Sequence, residues 1–188
     1  MRIDSLKRKL GKPDKVQSRN STINSQFSRA IASYDRFDEE VVKEAILALG
    51  QDPSRDLVCV YCRNPASGWD HLYGITRNKE YTGFGHQMRN LVPCCASCNS
   101  SKGNKDWRDF VATKCTANSE SLVELLSEYS RDVEEGAISA AAIKDICPDL
   151  MGEYYQTQSK ILELMAEADR IADQIRDQVD LSAGQKQC

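Results

Sequence analysis

Long apolar runs are missing from this 188-residue chain, and none approaches the roughly 18 residues from which a membrane helix is read. The opening Met1-Arg2-Ile3-Asp4 also lacks the charged-then-apolar pattern of a secretory signal. A cytoplasmic protein is therefore expected. There is no internal repeat. Histidine is scarce: the chain has two, His71 and His86, both in one central segment. An overall positive charge is missing as well, since the net charge is −3, an unpromising balance for a protein that binds nucleic acid.

What is present changes that picture. Hydrophobic residues make up 40% and charged residues 28%, a composition that suits a globular chain with one ordinary domain or a small core with attached arms. The charge is unevenly spread. Residues 1–30 carry eight Lys/Arg against two Asp/Glu, and residues 59–115 carry eight against four. Residues 31–58 carry three against seven, and residues 116–188 carry six against fifteen. Phosphate binding depends on the local field, so the two positive stretches could contact DNA while the acidic end stays away from it.

Three segments follow from pattern and composition. Residues 1–50 read as a basic arm and helices. Ile23, Phe27, Ile31 and Tyr34 recur at helical spacing, and a second helix is expected after a cap at Asp38, with Val42, Ala45, Ile46 and Leu49 as its stripe and Gly50 as its stop. In residues 51–115 helical periodicity disappears in favour of Gly, Pro, Asn, Cys and aromatics, until a helix resumes near Asn99. Residues 116–188 form a helical acidic region. Leu122, Leu125, Leu126 and Tyr129 share a face there, and a short alanine-rich helix ends before Pro148. A long helix is expected from about Glu153 to Leu181, with Ile161, Leu164, Ala168, Ile171, Ile175 and Val179 as a coiled-coil seam or a face packed on the body. A homodimer through that helix is the expected assembly.

The eight cysteines fit a reducing compartment, where they serve as metal ligands or buried thiols more often than as disulfides. Cys115, Cys147 and Cys188 stand alone and read as incidental thiols. Cys59-Val-Tyr-Cys62 and Cys95-Ala-Ser-Cys98 lie 32 residues apart, and two such pairs can close a tetrahedral structural zinc site. Cys94 could compete for partnership with Cys98, but the two-residue spacing favours Cys95. A closed four-cysteine site has no open position, so this zinc holds structure, as a module with little apolar surface needs.

Between the cysteine pairs lie Asp70-His71 and, later, Asn90-Leu91-Val92; Cys98 is followed by Asn99-Ser-Ser-Lys102-Gly103. In this order and spacing the segment resembles the HNH nuclease family, the cysteine-bearing branch of the ββα-metal nucleases. The likeness covers about a quarter of the chain and departs from the pattern at Asn99, where the family's final His is often replaced by Asn. It implies an α+β fold, with a small zinc-stapled ββα module embedded between helical N- and C-terminal segments: two antiparallel strands carrying His71 and Asn90, then a helix opening near Cys98.

The resemblance also implies roles. His71 would be the general base toward the attacking water. Asp70 and Asn99 would hold a catalytic Mg²⁺ or Mn²⁺, which would bind the scissile phosphate and stabilise the leaving oxygen. Asn90 would fix the loop through backbone hydrogen bonds. The activity implied is metal-dependent endonucleolytic hydrolysis of double-stranded DNA to 5′-phosphate and 3′-hydroxyl ends, as in a type II restriction enzyme. A freestanding homing or phage nuclease and a non-catalytic zinc-dependent DNA-binding module are the competing readings. Arg77, Lys79, His86, Arg89, Lys102 and Lys105 are the expected DNA contacts, Lys102 and Lys105 near the start of the final helix, and the loop from Tyr73 to Met88 is a candidate for reading sequence. The plainer alternatives are that Asp70 caps a turn, that Asn90 is an ordinary turn residue, and that His86 packs on Trp69.

Overall fold

A computed structural model describes residues 10, 12–78, 80–114 and 118–185, with the backbone alone at 181 and 183–185. Lys79, Cys115, Cys188 and most of the basic arm lie outside the described residues. The architecture is α+β. By contacts the chain divides into two units, residues 1–27 with 147–188 and residues 28–146.

In the first unit a 3₁₀ turn, Val16–Arg19, leads into helix α1, Asn20–Ala30, and the long helix α7 spans Pro148–Gln185. The alanine-rich helix ends at Ile146, before Pro148 as expected, but the long helix, expected from about Glu153, already opens at that proline. At a first helical position the missing N–H costs nothing and the fixed φ is already helical. The packed side of α7 runs through buried Met151 and half-buried Tyr154 and Gln158 to buried Asp169. Asp169 accepts hydrogen bonds from the backbone N–H groups of Val16 (2.7 Å) and Gln17 (3.1 Å), and so caps the 3₁₀ turn. The apolar stripe expected to pack is another one: Leu164, Ile171, Ile175 and Val179 are all exposed.

In the second unit, Asp38 caps helix α2, Glu39–Ala48, by accepting from the N–H groups of Glu40 and Val41, and Gly50 takes the left-handed φ of +67° that ends it. Ile31 and Tyr34 lie beyond the end of α1. The helical period breaks because residues 33–35 run extended and pair with the central loop, through a parallel bridge between Tyr34 and His86.

Strand β1, Gly68–His71, pairs antiparallel with β4, Leu91–Cys94, in the register Asp70↔Val92 and His71↔Leu91. The loop between them is not structureless: β2, Thr76–Arg77, and β3, Glu80–Tyr81, form a hairpin that turns at Asn78, a residue tolerant of its φ of +53°. The single helix expected from Asn99 is two. Helix α3, Ala96–Lys102, stops at Gly103 (φ +51°), and α4, Trp107–Lys114, follows.

The core beneath this sheet is shared. Trp107, Phe110 and Val111 of α4 meet Val60, Tyr61, Leu72 and Val92, while Ala45 and Leu49 of α2 and Leu126 and Tyr129 of α5, Ser119–Glu135, complete it. Tyr129 donates its hydroxyl to the Leu91 carbonyl at 2.8 Å. Leu125 turns outward, because the buried face of α5 steps through Leu126, Tyr129 and Val133. A short helix α6, Ala140–Ile146, closes the unit. Among the described residues no helix is long and apolar enough to cross a membrane.

Candidate functional site

The cysteine pairs converge at one end of the β1–β4 sheet. The sulfurs of Cys59, Cys62, Cys95 and Cys98 all lie within 4.8 Å of one another, and those of Cys62 and Cys95 are 3.6 Å apart. Four thiolates around one zinc, at Zn–S distances of ~2.3 Å, sit about 3.8 Å from each other. The donor set therefore fits a metal such as zinc, four thiolates being enough to fill a tetrahedral site. Cys95 is the N-cap of α3, and the Cys98 N–H donates to its sulfur at 3.5 Å, which lowers its thiol to about 7. Burial pushes Cys98 and Cys62 the other way, and at Cys98 the crowding of neighbouring thiols adds to it. A divalent cation at the centre would reverse that balance by binding the thiolates. Cys94 lies outside the cluster. It is buried behind it, 3.9 Å from the Cys59 sulfur, and donates to the Cys95 carbonyl.

Alternation along β1 separates the two residues that sequence reading joins. Asp70 turns inward and is 5% exposed. It accepts from the Tyr61 hydroxyl at 2.8 Å and holds the Lys102 ammonium at 3.2 and 3.3 Å. Lys102 is 2% exposed and donates also to the His71 carbonyl at 2.7 Å. A lysine on the last turn of α3 thus anchors that helix to β1. This corrects two expectations. Lys102 closes a helix rather than opening one, and its ammonium is spent internally, so it is no surface cation for phosphate. Asp70, for its part, presents both oxygens to buried donors of its own chain.

Asn99 lies on the exposed side of α3, one residue beyond Cys98. An inward carboxylate already neutralised by an ammonium is a poor ligand for a hard divalent ion. As arranged, Asp70 and Asn99 do not fit the expected catalytic metal.

His71 faces the other way, on the same side of the strand as Trp69, which is 43% exposed. Its Nε2 lies 3.1 Å from Nδ1 of His86, and the two rings are 4.9 Å apart at 58°. Burial, with the field of His86, Arg29 and Lys102 adding to it, lowers the His71 pKa to about 4. His71 is therefore neutral at pH 7.

Asn90, fully buried, fixes the loop that closes over this pair. Its Oδ1 accepts from Tyr73 N–H at 2.8 Å, and its Nδ2 donates to the carbonyls of Tyr73 (3.1 Å) and Gly85 (2.9 Å). All of its amide's capacity but one acceptor lone pair is thereby used.

The remaining expected contacts scatter. Arg77 and Lys105 line one cleft of about 290 Å³ with Tyr73, Phe84 and Asn104. Lys105 bonds the Ser101 carbonyl at 2.9 Å. The Arg89 guanidinium lies 5.7 Å over the ring of Tyr129. Lys79 lies outside the described residues. Sequence reading missed the bonding of His86 to His71, the field of Arg29 and the lock of Tyr61 and Lys102 on Asp70. These groups are brought together from 9 to 32 residues apart, or more, with no local pattern to announce them. No protein-family model, no curated protein and no solved structure matches the chain, so the site's own geometry carries its reading.

Proposed function

We propose that the chain is a DNA endonuclease of the zinc-stapled HNH type, with His71 as its general base. One observation carries the reading: a neutral imidazole stands at the open end of β1, within a cysteine-clamped strand–strand–helix unit whose connecting loop is pinned by a buried asparagine.

The chemistry is hydrolysis of a phosphodiester. The lone pair of His71 takes a proton from water, and the water oxygen bonds to phosphorus. The bond from phosphorus to the 3′ oxygen breaks, leaving a 5′-phosphate and, after protonation, a 3′-hydroxyl. General-base assistance of this kind contributes typically ~10²–10⁴-fold. A base with a pKa of about 4 is weak. A bound phosphodiester places negative charge beside the ring and moves that value back up. The nearby positive charge of Arg29 attracts the same phosphate. The cleft holding Arg77 and Lys105 and the exposed Trp69 on the His71 face extend the surface that DNA would meet.

A single site of this kind cuts one strand. The exposed stripe of Leu164, Ile171, Ile175 and Val179 supports a second copy as the means of cutting both, as a type II restriction enzyme does. The internal Asp70–Lys102 pair favours one other reading, a zinc-dependent DNA-binding module without chemistry, because it removes the expected metal ligand. Supercoiled plasmid incubated with the protein and with its His71→Ala variant, with Mg²⁺, with Mn²⁺ and with EDTA added after zinc loading, separates the two. Discrete fragments from the wild type alone support a sequence-specific nuclease. DNA binding without cleavage under any of these conditions supports the binding module.

A further inference from the structure

His86 is an exposed side chain on a loop, yet its backbone is held from two directions. Its N–H donates to the Ser33 carbonyl at 3.0 Å, and its carbonyl accepts from Asp35 N–H at 3.1 Å. The residue before it has no alternative to glycine: a Cβ on Gly85 would stand 1.8 Å from the Ser33 carbonyl oxygen. The Gly85 carbonyl is in turn held by Asn90, whose other bonds go to Tyr73, two residues beyond His71. On the His71 side, Leu72 N–H donates to the Asn90 carbonyl at 2.9 Å and Lys102 holds the His71 carbonyl. Asn90 therefore joins the two segments that carry the imidazoles and fixes one ring against the other.

The contact between the rings is one N–H···N hydrogen bond, between His71 Nε2 and His86 Nδ1. Two neutral tautomer assignments satisfy it. In one, His71 donates from Nε2 and His86 accepts at Nδ1, so both rings carry their protons on Nε2, the tautomer that free histidine prefers. In the other, both rings must carry their protons on Nδ1, the less favoured choice twice over. Only the first leaves His71 with a free lone pair, on Nδ1, able to take a proton from water.

We infer that His86 is the positioning residue of His71: by accepting the Nε2 proton it holds the ring in the Nε2–H tautomer and turns Nδ1 outward as the base. It does for this imidazole what an orienting carboxylate does in a serine protease triad, without the charge. His86 was expected from sequence as a DNA contact. The inference rests on the nuclease reading for the role of the lone pair, but the pairing itself can be tested without activity.

The chain has only two histidines, so its imidazole spectrum is simple to assign. Long-range ¹H–¹⁵N correlation on the zinc-loaded protein, at about pH 8 where ordinary imidazoles are neutral, reads the tautomers directly. The expected pattern is pyrrole-like Nε2 and pyridine-like Nδ1 on both rings, with His71 relaxing to an averaged tautomer mixture in His86→Ala. A proton on Nδ1 of His71, or no change in His71 on substituting His86, would overturn the pairing.

In plasmid cleavage, His86→Ala is expected to lower kcat by about 10²-fold with KM little changed. His86→Asn, whose Oδ1 can accept in place of Nδ1, should recover most of it. A raised KM and weaker DNA affinity at unchanged kcat would return His86 to the role of a DNA contact and overturn the inference. A wild type that cleaves nothing would defeat the nuclease reading, while the spectrum would still decide the pairing.

Discussion

Replacing Lys102 by Met tests the arrangement that most separates this site from its sequence expectation. The substitution keeps the length of the apolar stem and removes the ammonium that lies 3.2 and 3.3 Å from the two Asp70 oxygens. Asp70 would then be 5% exposed with one remaining side-chain donor, the Tyr61 hydroxyl at 2.8 Å. Stranding one member of a buried pair costs about 3–5 kcal/mol, a large fraction of the ~5–15 kcal/mol that holds a domain folded. Asp70→Asn should cost a similar amount by stranding the ammonium. The double variant should be much milder than the sum, since a neutral pair has nothing left to strand.

Urea unfolding of the zinc-loaded proteins gives the numbers as shifts in midpoint at constant slope. Mn²⁺ titration of the same variants reports whether the carboxylate becomes open to a divalent ion once Lys102 is gone. Two single losses below ~1 kcal/mol that simply add would describe a solvated surface pair. That outcome would refute the buried lock and return Asp70 to the candidate metal ligands.

Other outcomes follow from single contacts. Cys94→Ser should keep bound zinc and Cys95→Ser should lose it, by metal analysis after gel filtration, because only the Cys95 sulfur belongs to the cluster; the reverse order would reassign the ligands. Gly85→Ala should destabilise by about 1–3 kcal/mol or more and displace the His86 loop, since the added methyl meets the Ser33 backbone, and a variant with unchanged melting and unchanged imidazole shifts would contradict that packing. His71 makes stability fall in acid. Its folded value of about 4 lies below the ordinary 6.5, so the unfolded chain binds the proton first and stability is lost as pH drops from about 6.5 toward 4. His71→Gln should flatten that part of the stability–pH curve, and identical curves for the two proteins would show that the imidazole is not desolvated.

The sequence by itself carried the metal cluster and the second helix with both its ends. Two Cys-x-x-Cys pairs name the metal cluster, because two intervening residues are the spacing that wraps both thiolates onto one ion. Asp38, Val42, Ala45, Ile46, Leu49 and Gly50 fix α2 and both its ends, because a cap, a stripe and a left-handed stop each act within a turn or two of helix. The strand–strand–helix order around His71 and Asn90 came from the resemblance to the HNH family, not from periodicity, and the structure places Asn90 one residue before β4.

What escaped the sequence depends on partners distant along the chain. Asp70 and His71 are neighbours, yet the pleat sends one into the core and the other to the opposite face, where it is half-buried, and their surroundings come from Lys102, Tyr61, Arg29 and His86. Nothing in the composition of residues 116–188 says that Leu126 and Tyr129 complete the core beneath the sheet, or that the packed face of α7 is not its most apolar stripe. Periodicity reports which residues share a face; only the tertiary fold decides what that face meets. For Asp70 it decided on an ammonium, and for His71 on a second imidazole.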